Sequence, residues 1–140
     1  MSKLVDFFYP LPARRRTAAA VFGWWEERRV AYNLLVGAAG CVTIVLTTLL
    51  LAIPGGFGGP GPPFAALLSV ALVYGILANF CYFLGPLTEL LLYRLWGDEA
   101  PRAGPALYRQ GLLFSIGLTL FPIALLGLGL VARLLGRLLL

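Results

Sequence analysis

From Phe64 to Trp96 the chain is apolar apart from a row of residues set at alternating steps of four and three. Gly75, Asn79, Tyr82, Pro86, Glu89, Tyr93 and Trp96 make up that row. A 4-3 spacing keeps residues on one side of a helix, the geometry of a left-handed helix–helix contact. An amide, a carboxylate and aromatic rings bearing hydroxyl or indole groups do not belong against lipid. The row therefore predicts a long helix with one protein-facing seam, while Leu72 and Leu77 face away from it.

Two further apolar stretches flank this one. Val30–Ile53 carries no charge and spans about 24 residues, more than the ~20 needed to cross a bilayer. Its small and polar residues, Asn33, Gly37, Gly40 or Cys41, Ile44 and Thr47 or Thr48, predict a second seam in which small side chains let backbones approach. A third helix is expected from about Ala106 to Val131, with Tyr108, Gly111, Ser115, Leu118, Pro122, Leu125 and Gly129 in the same register. Hydrophobic residues make up 60% of the 140, charged residues only 12%, and the mean hydropathy is +0.89. No soluble domain hides that much apolar surface, so the expected fold is an all-α integral membrane protein with three transmembrane helices in a single domain.

The connecting segments fit this division. Residues 1–29 read as an interfacial N-terminal segment, with Trp24 and Trp25 at headgroup level and Thr17 capping a helix onward from Ala18. Charges at Glu26–Arg29 interrupt any apolar core, so no cleaved signal is expected. The Gly/Pro-only run from Pro54 to Pro63, apart from Phe57, joins helices one and two. Gly97–Pro105, with Asp98, Glu99 and Arg102, joins helices two and three, and 132–140 reads as an interfacial tail. Helix two, 64–96, is expected to tilt, to bend at Gly85-Pro86 or to extend past the bilayer.

Lys3, Arg14–Arg16, Arg28 and Arg29 precede helix one, and Arg94, Arg102 and Arg109 flank the second connection, whereas the first connection has no charge. The positive-inside rule places the N-terminus in the cytoplasm and, after three spans, the C-terminus outside. The net charge of +5 beside apolar runs points to anionic lipid, not to nucleic acid.

This topology gathers Arg28, Arg29, Tyr32, Asn33, Asn79, Tyr82, Glu89, Tyr93, Tyr108 and Arg109 towards the cytoplasmic side of the bundle. Glu89 is the one acidic residue inside an apolar stretch, and an ionisable group there is expected to have a partner; Arg29 or Arg109 could supply it. A structural pin outweighs ion or proton handling for Glu89, and an interhelical bond outweighs a ligand role for Asn79. Histidine is absent, and Cys41 and Cys81 lie within apolar helices as packing residues. No pairing of nucleophile and base can be named, so neither catalysis, a cofactor nor a metal is expected.

Arg29-Val30-Ala31-Tyr32-Asn33 and Ala78-Asn79-Phe80-Cys81-Tyr82-Phe83-Leu84-Gly85-Pro86-Leu87-Thr88-Glu89 together resemble a group of small bacterial polytopic membrane proteins. That group carries an Arg-x-x-Tyr-Asn start and an Ala-Asn-x-x-Tyr-x-x-Gly-x-x-x-Glu helix. The resemblance implies a bacterial inner-membrane location and no particular activity. The expected role is an accessory or structural subunit of a larger membrane assembly, such as an energy-converting complex, with other membrane subunits and lipids as partners. The alternative is a small homo-oligomeric transporter or channel with Glu89 and Asn79 on its pathway.

Overall fold

The computed structural model describes residues 17–53, 63–97 and 103–139. The N-terminal basic residues, the Gly/Pro run as far as residue 62, and Asp98, Glu99 and Arg102 lie outside the described residues. Three helices follow one another: α1 (Ala18–Leu51), α2 (Phe64–Trp96) and α3 (Gly104–Leu139). Each is long and apolar enough to cross a membrane. At 1.5 Å per residue each spans about 50 Å, so each tilts or extends beyond a hydrocarbon core of ~30 Å.

Thr17 caps α1, its hydroxyl accepting from the Ala20 amide at 3.3 Å. From Ala18 the helix runs without a break through Trp24–Arg29 into the apolar stretch. The charged residues thus form early turns of a spanning helix and share its packing with α2 and α3. The tail after Val131 likewise continues α3 to Leu139, because no proline interrupts it. α2 stays helical through Gly85-Pro86, and Pro86 is fully buried. The ring withholds one backbone donor from the Tyr82 carbonyl, a loss that burial against neighbouring helices tolerates.

The predicted seam of α2 faces the bundle over most of its length. Of that row Tyr82, Pro86 and Glu89 are buried and Gly75, Asn79 and Tyr93 half-buried, and Ala78, outside the row, is buried beside them. Leu72 and Leu77 point outward, 61% and 56% exposed. Trp96, at the end of the row, is exposed. The seams of α1 and α3 follow the expected rows only in part. On α1 the buried residues are Val21, Trp25, Arg28, Tyr32 and Val36; of the expected row Gly40, Ile44 and Thr47 are half-buried, while Asn33, Gly37, Cys41 and Thr48 are exposed. On α3 the buried residues are Gly104, Tyr108 and Thr119. Gly111, Leu118, Pro122 and Leu125 face out, and Ser115 and Gly129 are half-buried. One residue turns a helix by about 100°, so a one-residue error exchanges a seam for its neighbouring face.

Candidate functional site

The interior is aromatic and polar, and it forms three levels along the bundle. The first holds Glu89. Its side chain projects from α2 at 6% exposure, and its Oε2 accepts from the Trp25 indole N–H at 2.9 Å. The same carboxylate lies over the start of α3. A Cβ on Gly104 would fall 2.6 Å from Oε2 and 3.0 Å from Oε1, so a side chain there would displace the carboxylate. The carboxylate thus meets the end of α3 where backbone N–H groups lack helical partners and the helix dipole is positive. Glycine also seats Trp25: a Cβ on Gly85 would lie within overlap of three indole carbons. Glu89 therefore touches all three helices directly or through one contact.

The second level is a ring cluster. Trp25, Tyr82 and Tyr108 meet edge to face, with centroids 5.4–6.5 Å apart, and Tyr32 lies 4.7 Å from Tyr82. Such arrangements add about 0.5–1.5 kcal/mol per pair beyond burial. Each hydroxyl reaches another helix. Tyr82 donates to the Trp25 carbonyl at 2.5 Å, and Tyr108 donates to that of Arg28 at 3.5 Å. Tyr32 shares a 2.8 Å bond with Ser115 and lies 3.4 Å from the Ala78 carbonyl. The third level repeats the device with smaller groups. Tyr74 lies 2.7 Å from the Thr119 hydroxyl and 3.0 Å from the Ser115 carbonyl, and Thr43 donates to the Thr119 carbonyl at 2.8 Å.

Arginine is placed differently from expectation. Glu89 takes neither Arg29 nor Arg109. Arg29 bonds Glu26 on its own helix at 2.8 Å and lies over the Phe83 ring at 4.4 Å, and Arg109 is exposed. The cause is rotation of α1, which turns Trp25 and Arg28 inward and leaves Arg29 at the α1–α2 edge. Arg28, only 2% exposed, stacks on Trp24 at 4.0 Å and donates to the Trp24 carbonyl at 2.8 Å. Tyr93 is half-buried one turn beyond Glu89.

Of the residues expected to cluster, Arg28, Tyr32, Tyr82, Glu89 and Tyr108 are buried in the core. Asn33 and Asn79 meet each other at the α1–α2 edge, with Asn79 Nδ2 donating to Asn33 Oδ1 at 3.0 Å. Trp25, Gly85, Gly104, Ser115 and Thr119 complete the arrangement. Trp25–Arg28–Tyr32–Val36 carries its own helical spacing, a signal masked by reading the tryptophans as headgroup anchors. Among the described residues no group of three or more His, Cys, Asp or Glu could hold a metal, and Cys41 and Cys81 are free thiols on outward faces.

A lateral cleft of about 340 Å3 opens between α2 and α3, with Tyr82, Tyr108 and Ser115 at its floor and Thr88 and Gln110 among its walls. The floor hydroxyls are engaged in the interhelical bonds above. The chemistry available here is cross-helix hydrogen bonding and ring packing. Searches for a matching family model, curated protein or solved structure find none for this chain.

Proposed function

We propose that the chain is a non-catalytic accessory subunit of a larger bacterial inner-membrane assembly, holding neighbouring subunits and lipid through its outer helix faces. The observation carrying this reading is how the interior polar groups are used. Glu89, Tyr32, Tyr74, Tyr82 and Tyr108 each bond or abut another helix, so the polar interior joins helices. The apolar window of each helix is only 6–11% buried within the chain, which leaves broad faces for lipid and partner helices. A pathway reading needs Asn79 and Glu89 along one route. Asn79 bonds Asn33 at the outer α1–α2 edge, whereas Glu89 sits in the core between Trp25 and Gly104.

Affinity purification from native membranes in mild detergent tests the proposal. Stoichiometric recovery of other membrane proteins is expected, and recovery of this chain as a lone homo-oligomer would refute it. The orientation has its own test. With Cys41 and Cys81 replaced by serine, Gly58→Cys is expected to react with an impermeant thiol reagent from outside the cell and Asp98→Cys to be protected. The reverse labelling would invert the topology.

A further inference from the structure

The α1–α2 edge holds an amide pair that is incompletely satisfied within the chain. Asn79 Nδ2 donates both to the Gly75 carbonyl and to Asn33 Oδ1, each at 3.0 Å. The Gly75 bond fixes which end of the Asn79 amide points inward. Among the described residues, Asn33 Nδ2 and Asn79 Oδ1 have no hydrogen-bond partner. Asn33 is exposed and Asn79 half-buried, so this free donor and free acceptor lie together on an outer face. Asn33 is four residues past Arg29, within the uncharged stretch. Within that stretch the natural complement of an unmet amide is a polar group of another protein segment.

We infer that this edge is a self-association face that binds a second copy of the same chain. One free donor beside one free acceptor is complementary to itself across a two-fold axis along the membrane normal. Asn33 Nδ2 of each copy then donates to Asn79 Oδ1 of the other, giving two equivalent bonds. A partner of different sequence would need to supply the same pair in the same spacing, whereas a second copy supplies it by symmetry. Gly37 on α1 and Gly75 on α2 border the amides, and nothing lies within 4 Å of where their Cβ atoms would be. That space lets the two backbones approach closely enough for short amide side chains to meet. A dimer of this kind is compatible with an accessory subunit present twice in an assembly and does not depend on that role.

The test is the dimerisation constant of the full chain in phosphatidylcholine vesicles, read by energy transfer between labelled copies over a dilution series. Asn33→Leu and Asn79→Leu each remove both intermolecular bonds from a homodimer. Each is expected to weaken dimerisation about five- to tenfold, on typical values for membrane hydrogen bonds. Mixing the two variants restores one bond, since one copy keeps the donor and the other the acceptor. The mixed pair is therefore expected to associate more tightly than either variant alone. Gly37→Ile leaves both amides in place, has room to fold, and is expected to weaken the dimer by blocking approach. Phe114→Leu, on an exposed face of α3, is the control and is expected to have no effect. A wild-type chain that stays monomeric at high protein-to-lipid ratio, or a dimer indifferent to all three edge variants, overturns the inference. Equal association of the mixed and unmixed variants overturns the two-fold pairing.

Discussion

Gly85→Leu is expected to unseat Trp25 and to lower the stability of the bundle by about 3 kcal/mol or more, at or above the upper end for overpacked interiors. The indole occupies the space a side chain at position 85 would need, and Pro86 beside it is fully buried and leaves little room to yield. Moving the indole has a second consequence, because its N–H is the donor to Glu89. The displaced ring also disturbs the Tyr82 contact, whose hydroxyl ends on the Trp25 carbonyl. Gly117→Ala is the matched control, since nothing lies within 4 Å of its Cβ position. It is expected to be neutral or to stabilise by up to ~1 kcal/mol, the difference in helix propensity. Denaturation of the purified protein in mixed micelles, followed by tryptophan emission, measures both. Similar midpoints for the two variants would mean that Trp25 is not seated on Gly85.

The second large effect belongs to the bond between Trp25 and Glu89. Glu89→Met keeps the length of the side chain but removes the acceptor, leaving a buried indole N–H unpaired at a cost of about 1–3 kcal/mol. It also removes the carboxylate from the start of α3. Trp25→Phe removes the donor while keeping a ring against Gly85. If the bond joins α1 to α2, the double variant loses less than the sum of the single losses. A coupling of about 1–2 kcal/mol is expected, near the upper end for hydrogen bonds between membrane helices. Strict additivity would show that the two side chains are adjacent without being energetically joined.

The parts of this arrangement differ in how plainly the chain announces them. The three spans follow from uncharged lengths alone, and the α2 seam follows from polar residues standing out against leucine. On α3 the contrast fades. Leu118 and Leu125 are chemically the same as lipid-facing leucines, and the true seam through Ser115 and Thr119 differs by one residue. On the first half of α1 Asn33 and Gly37 drew the seam to the edge of the packed face, since interior positions there are filled by Trp25, Arg28 and Tyr32, residue types equally suited to a headgroup layer. Gly85 and Gly104 look like any other of the chain's 17 glycines. Their roles come from side chains that arrive from other helices, Trp25 and Glu89, and no local pattern encodes that meeting. The partner of Glu89 escaped for the same reason. Charge matching suggested Arg29 or Arg109, but among the described residues the rotation of α1 brings the Trp25 indole to Glu89.

The role proposed for Glu89 is to join helices and not to conduct. Purified wild-type protein and Glu89→Gln, reconstituted separately into vesicles, should be compared with protein-free vesicles for proton and monovalent-cation flux across a range of pH. Glutamine still offers Trp25 an acceptor, so this variant is expected to fold and insert. Both proteins are expected to leave vesicle permeability at the protein-free level at every pH. A pH-dependent flux through the wild-type protein that disappears in a normally folded Glu89→Gln would contradict that role and place Glu89 on a conducting path.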